Sequence, residues 1–488
     1  MTVHLGRKRV LRARYLLPLA IVALASCLLL AWPRGLQTPR FQRPSADEPA
    51  PSQAVQRLRA GAAGANLIII LLDAARASHF TSFGHDRNTT PSIAKLFDDG
   101  ILLTEAYAAG ANTKASVASL FTSQFPDTHG TLSLPWPLAT EDATLAECLR
   151  DAGYTTAGFI ANPVISRSFG YARGFDSFDE VSRRVRNTRR PGVVDGAKVR
   201  DAALAWMRAH KGKRFFAYLH FLEPHYPYAA PDAFHKRIIG GGEQDWRRAD
   251  QSMRYDASLA YADSLVGDLL SELKKLGLFE KSVIIVLADH GEAFGEHGYF
   301  GHTTTVYREM VHVPVGVHLP SRCESAPRRR SEVFCLTDLM PTLLDLLGIP
   351  PSKTMQGRAR LALLTGEDES LPGFAVTRAR GGDATGGKED SKEVSYALRV
   401  PRYTLILGDR GRQVELYDRS ADPGEQENLA PKQRDVTRDL HAQFRAWAAT
   451  QRGRPVVLRG GKVFLATSQD PKMNERTRQE LKTLGYLK

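Results

Sequence analysis

Apolar residues fall along the chain in two alternating rhythms. Asn66-Leu67-Ile68-Ile69-Ile70-Leu71-Leu72 is a continuous apolar run, and similar short runs recur at residues 214–221 and 282–287. Continuous runs of this length predict strands buried on both faces of a parallel sheet. Each is preceded by a stretch of helical period. The clearest spans residues 255–278, where Leu259, Leu265, Leu269, Leu270, Leu273 and Leu276 form one stripe and Gly277 is placed to stop the helix. Strands alternating with helices predict an α/β architecture, a central mostly parallel sheet flanked by helices. Beyond about Thr354 the pattern changes to short extended pieces separated by Gly, Asp and Pro, followed by a helix over 433–449. That change predicts a smaller C-terminal α+β subdomain with its own sheet. No internal repeat is present.

The first segment has a different character. Arg7, Lys8, Arg9, Arg12 and Arg14 precede an apolar run over residues 15–32, about the length of a membrane-spanning helix. The basic residues of 1–14 are expected to stay cytoplasmic. Leu24-Ala25-Ser26-Cys27 offers the alternative of a lipidated Cys27, but the apolar residues 28–32 prolong the run past it. An uncleaved single-pass anchor in the cell (inner) membrane is therefore preferred to a cleaved signal, with the folded part in the periplasm or outside the cell. Residues 33–64, rich in Pro, Ala, Gln and Arg, read as a flexible linker. The main domain is expected over 65–353 and the subdomain over 354–488.

Composition changes this picture only slightly. The chain has 488 residues and a net charge of +13, which suits an anionic substrate or membrane surface. The basic residues are scattered, with local clusters near the start and at Arg328–Arg330, so nucleic acid is not the expected partner. Cys323 and Cys335 could pair in an oxidising compartment, though spacing does not show the geometry a disulfide needs. Cys148 reads as a small buried hydrophobe on a helix.

In an open parallel sheet, ligands gather at the carboxyl ends of strands. Asp73 directly follows the first run, and Asp289-His290 follows the run ending Leu287-Ala288. A lone Asp after a strand is commonly a cap or turn residue. Asp289-His290-Gly291-Glu292, with Glu296-His297-Gly298 close behind, is too dense in ligand types for a simple turn.

These residues resemble the sulfatase branch of the alkaline phosphatase superfamily. Asp289-His290-Gly291-Glu292 is similar to its second metal motif. Asp73-Ala74-Ala75-Arg76, Thr89-Thr90-Pro91 and Ser119-Leu120-Phe121-Thr122-Ser123 with Pro126 and His129-Gly130 are similar to its first metal motif and nucleophile segment. The likeness continues through His220-Phe221-Leu222-Glu223-Pro224-His225, Asp338-Leu339-Met340-Pro341-Thr342, Glu415-Leu416-Tyr417-Asp418 and Leu484-Gly485-Tyr486-Leu487. It implies an alkaline-phosphatase-like sandwich fold and an esterase or transferase acting on a sulfate or phosphate ester. The substrate would be a small anionic ester, a glycan or a lipid head group.

The departure is at the nucleophile, where the family carries a Cys or Ser that becomes formylglycine. Counting back from Leu120-Phe121-Thr122 puts Thr113 there, and Val117 stands in place of the supporting Arg. Threonine resembles instead the phosphoethanolamine and glycerol-phosphate transferases, and the phosphodiesterases, of the same superfamily. A threonine hydroxyl needs a cation to become reactive. The resemblance implies one divalent metal held by Asp73, Thr113, Asp289 and His290. That donor set favours zinc or manganese over calcium or magnesium. By the same resemblance His225 and His302 face the ester, one holding a nonbridging oxygen and one protonating the leaving group.

Lys114, Arg76 and His220 are candidate substrate contacts. For His220 a packed histidine of the strand is the competing reading, and for Lys114 and Arg76 a structural ion pair. Ser116 and Ser119 are rival nucleophiles that read better as capping hydroxyls at a helix start. A non-catalytic binder of sulfated or phosphorylated glycans is the remaining alternative, disfavoured because the metal ligands all survive.

Overall fold

The computed structural model describes residues 50–134, 136–138, 143–181, 196–242, 248–323, 328–367, 373–380, 394–408 and 413–451. The apolar run at 15–32, Cys27 and the motif at 484–487 lie outside them. Among the described residues no helix is long and apolar enough to cross a membrane.

The three apolar runs form the centre of the main sheet. β1 (Asn66–Leu72) lies between β5 (Phe215–Phe221) and β6 (Ser282–Ala288), parallel to both, and every residue of the three strands is buried. With both faces covered, alternation is lost and almost only continuous apolar sequence fits. The remaining strands are β2 (Ile101–Tyr107), β3 (Thr155–Ile160), β4 (Ser177–Glu180), β9 (His312–His318), β10 (Arg328–Arg330) and β11 (Phe334–Cys335). The order is β10-β2-β9-β6-β1-β5-β3-β4, with β11 also pairing β2. β9 is antiparallel to both neighbours, while the other pairings are parallel. Pro314 in β9 has no partner on β2, where the register shifts between Leu103 and Ala106, so its missing N–H falls at an irregularity.

The long helix observed is Gln251–Lys275, capped by the Asp250 carboxylate accepting from Ser252 N. It packs on the helices Pro91–Asp98, Gly196–Ala209 and Asp232–Ile239. Its Asp263 accepts from Ser92 N and Ile93 N, so it also caps the helix Pro91–Asp98. Leu276 and Gly277 close it, the glycine at φ +65°.

A four-stranded antiparallel sheet, β12 (Ala375–Arg380), β13 (Val394–Arg399), β14 (Tyr403–Gly408) and β15 (Gln413–Asp418), follows, with the helix Arg434–Ala448. β7 (Ala293–Phe294) and β8 (Phe300–Gly301) form a small hairpin beside the main sheet's carboxyl edge.

Two expectations are corrected. Part of the expected linker, Gln53–Ala62, is a helix with Val55, Leu58 and Ala62 buried and Ser52 as its cap. Three apolar residues at spacings of three and four suffice to dock it, which the polar average of the stretch conceals. Cys323, Cys335 and Cys148 are all free, and Cys148 is only half-buried. Cys323 lies against the Leu58 carbonyl, whereas the intervening β10 and β11 carry Cys335 to the far end of β2.

Candidate active site

The carboxyl ends of the central strands converge. β1 delivers Asp73, β6 delivers Asp289 and His290, β5 carries His220 near its end, and β3 is followed by Asn162. β2 runs into residues 108–112 and then the helix Thr113–Thr122, whose cap is Asn112, accepting from Ala115 N. That loop is pinned from the C-terminal sheet: Arg378 N donates to Ala109 O, Ala111 N to Arg378 O, and Thr377 Oγ1 to Ala108 O. Thr303 N donates to Ala111 O, tying in the segment that follows β8. Thr113 thus reaches the site through contacts spread over the whole chain.

Thr113 Oγ1 lies 3.4 Å from Asp73 Oδ1 and 3.1 Å from His290 Nε2. His290 Nε2 lies 3.7 Å from Asp73 Oδ1 and 3.6 Å from Asp289 Oδ2. His290 Nδ1 donates to Gly291 O at 2.8 Å, which leaves the Nε2 lone pair facing this cluster. The four side chains are buried. Asp289 Oδ1 accepts from Ala74 N and His290 N, whereas Oδ2 has no hydrogen-bond partner.

A divalent cation fits these residues. Burial and the charge of Asp73 push the Asp289 carboxyl up. For Asp73 burial acts in the same sense, but the His220 hydrogen bond and the electrostatic influence of the surrounding histidines outweigh it and hold the carboxyl below the usual range. Two buried carboxylates facing one imidazole lone pair repel each other unless positive charge lies between them. Spacings of 3.1–3.7 Å also bracket the roughly 3.3 Å edge of a tetrahedron with ligands about 2.0–2.1 Å from the ion. Asp73, His220 and Asp289 also offer atoms within 4.8 Å of one another. His220 Nε2, however, faces Asp73 Oδ2 at 2.9 Å, the oxygen that also accepts from Asn162. A second such group, His79, His85 and Asp256, already holds the guanidinium of Arg87 on Asp256 Oδ2, which competes with a cation.

His302 and His225 lie beside the cluster, their ring centroids 4.9 Å apart, with His302 4.6 Å from His290. Burial disfavours charge on His302, but the Glu292 carboxylate, 3.0 Å from Nδ1, raises its pKa. Burial lowers His225 to about 4. His225 Nδ1 donates to Tyr226 O at 2.8 Å.

The other candidates are engaged elsewhere. Arg76 donates to Ser78, to the Glu292 carbonyl and to Glu296 at 2.7 Å. The Lys114 ammonium lies over the Phe169 ring, 3.6 Å from its centroid, and burial pushes its pKa well down. One residue along a helix turns a side chain by about 100°, which separates it from Thr113. Ser116 and Ser119 are not the caps expected. Ser116 donates to Asp289 O, and Ser119 meets His129 Nε2.

Sequence reasoning missed Asn162 and left Glu292 without a role. Asn162 stands two residues past the end of β3, and the rule that placed Asp73 at a strand end applies equally there.

Residues 65–349 match the Sulfatase family, and residues 295–450 match the family described as N-sulphoglucosamine sulphohydrolase, C-terminal. Arylsulfatase K of Bos taurus is 29% identical over 204 residues, covering 39% of this chain and 35% of that protein. The chain thus matches about a third of that relative's length. The phosphonate monoester hydrolase of Agrobacterium radiobacter superposes with a TM-score of 0.66 at 20% identity, covering 79% of this chain and 96% of that one. A structure solved in complex with its substrate D-glucosamine-2-N,6-O-disulfate superposes with a TM-score of 0.66 at 18% identity, covering 80% of this chain and 97% of the other. These two likenesses concern the fold; the match over 65–349, more than half of the chain, shows that it belongs to the sulfatase family.

Proposed function

We propose that this protein hydrolyses a sulfate or phosphate ester, with Thr113 as nucleophile and one divalent cation held by Asp73, Thr113, Asp289 and His290. The observation that carries this reading is the convergence of three separate chain segments, in which Thr113 approaches Asp73 and His290, and His290 approaches Asp73 and Asp289, at 3.1–3.7 Å. The names of the relatives, an arylsulfatase and a phosphonate monoester hydrolase, support an anionic ester at sulfur or phosphorus. When bound, the cation supplies positive charge that favours loss of the threonine proton and draws the ester's anionic oxygens.

The chain's own residues divide the remaining work. Thr113 Oγ1, its proton already released to solvent, forms a bond to sulfur or phosphorus while the bond to the alcohol breaks. His302, whose pKa is raised by Glu292, gives its proton to the departing oxygen. Water then attacks the threonine ester and Thr113 Oγ1 leaves. His225 is neutral and has its Nδ1 proton committed to Tyr226 O, so Nε2 is the nitrogen that takes the water's proton. Solvent returns both histidines to their starting states.

The test uses the full chain and nitrophenyl sulfate, phosphate, phosphodiester and phosphonate ester. Thr113→Ala is expected to lower turnover by roughly three orders of magnitude or more. Thr113→Ser is expected to retain much of it, and the Thr113 peptide to gain one sulfuryl or phosphoryl group during turnover. Activity that persists in Thr113→Ala but vanishes in Asp289→Ala overturns the nucleophile assignment.

A further inference from the structure

Both carboxylates at the site are restricted to one outward oxygen, and the restriction is built from groups that do not themselves face Thr113. Asp289 Oδ1 is taken by Ala74 N at 3.1 Å and His290 N at 3.0 Å. Ala74 adopts φ +57°, a left-handed conformation unfavourable for alanine, while making this bond. Asp73 Oδ2 is taken by Asn162 Nδ2 at 2.6 Å and His220 Nε2 at 2.9 Å. Asn162 and His220 are fully buried and themselves anchored. Asn162 Oδ1 accepts from Val164 N, and His220 Nδ1 lies 3.1 Å from the Tyr218 hydroxyl. Since Asp73 is an acceptor only, His220 Nε2 carries the proton, and in the neutral ring Nδ1 accepts from Tyr218.

We infer that Asn162 and His220 are positioning residues that select the cation: by holding Asp73 to a single free oxygen they make the site specific for a small ion of the zinc type against calcium. The inference rests on reading Asp73, Thr113, Asp289 and His290 as the holders of the ion. Four single atoms, three oxygens and one nitrogen, satisfy zinc. Calcium requires about six to eight oxygens, which carboxylates supply by binding through both oxygens. Here the second oxygen of each carboxylate is already hydrogen-bonded inside the protein. Partners that fix a ligand's orientation commonly change metal affinity by about 10–100-fold when lost.

The test measures zinc and calcium binding to the metal-free full chain by competition with a chromophoric chelator, with no turnover involved. Asn162→Asp preserves the acceptor for Val164 N but replaces the amide donor with a carboxylate beside Asp73. It is expected to weaken zinc binding about 10–100-fold and to strengthen calcium, so the zinc-to-calcium preference falls. Tyr218→Phe, which leaves the packing nearly unchanged, is expected to weaken zinc severalfold and leave calcium unchanged; thermal melting checks that each variant folds. If the wild type binds zinc more tightly than calcium and neither variant alters the preference, the role of Asn162 and His220 is refuted. A wild type that prefers calcium refutes the selectivity. A wild type that binds neither ion refutes the reading of the site itself.

Discussion

Thr113 shows how a single residue's chemistry depends on what surrounds it. Its hydroxyl is unremarkable in sequence, and only its place in a motif points to it. The same holds for His302 and His225, two buried histidines with opposite shifts because one faces Glu292 and the other gains too little from nearby charge to offset burial. Protonation of a leaving group matters most when the alcohol leaves poorly. His302→Gln should therefore lower turnover of an alkyl ester by about 10²-fold or more, and that of a nitrophenyl ester much less. Equal losses on both esters, read from paired kcat values, would remove His302 from the acid role. Lys114 and Arg76 mark the limit of reading charge from sequence. Lys114 follows Thr113 and Arg76 stands three residues after Asp73, yet local helix geometry directs the first elsewhere and an ion pair with Glu296 the second.

At the scale of elements, β1, β5 and β6 were legible because a strand buried on both faces admits almost only apolar residues. β9 was not, since Pro314 and Gly316 interrupt its pattern; Gly316 pairs regularly with β2 and β6, while Pro314 falls at the irregularity opposite β2. The hairpin β7–β8 is too short to show a period, but it carries an exposed aromatic close to His302 in the chain. Tyr226, Tyr299 and Phe300 are the large hydrophobic side chains exposed among the described residues, at 50%, 41% and 55%. Tyr226 follows His225, and Phe300 lies two residues before His302. Exposed aromatics flanking a reacting pair suit an alcohol with an apolar face. Tyr226→Ala and Phe300→Ala are expected to raise KM severalfold for ring-bearing esters while leaving kcat near wild type. A change confined to kcat, or one equal for small alkyl esters, counts against contact with the alcohol.

Across the whole molecule, the C-terminal sheet helps to build the site. β12 holds the loop ahead of Thr113, and His297 links the β7–β8 connection to distant chain. Its Nδ1 meets Glu309 Oε1 at 2.9 Å and its Nε2 meets Glu425 O at 2.8 Å, with Tyr307 stacked 3.8 Å away. Burial opposes the charge on His297, but these bonds prevail and raise its pKa to about 9. A histidine whose folded pKa lies above its unfolded value of about 6.5 stabilises the fold fully below that pH. The contribution declines as pH rises towards about 9. Melting temperature should fall across this window, and His297→Gln should flatten the fall. An unchanged slope in that variant would show that another group governs it.

The amino-acid sequence by itself determined the α/β class, the central buried strands, the long helix and the motifs that carry Asp73, Thr113, Asp289 and His290. The strands, the helix and the strand-end residues Asp73, Asp289 and His290 are local properties, because burial on both faces, helical period and strand-end position leave marks within a few residues; Thr113 was reached only through the family resemblance. Tertiary structure alone decided that Asn162 and His220 share one oxygen of Asp73, that Glu292 faces His302, that the segment Gln53–Ala62 docks as a helix, and that Cys323 and Cys335 remain apart. Glu292 and His302 are brought together by the short β7–β8 hairpin, which shows no period in the sequence. The others depend on how elements pack against one another, and the sheet order that sets that packing has no local signature.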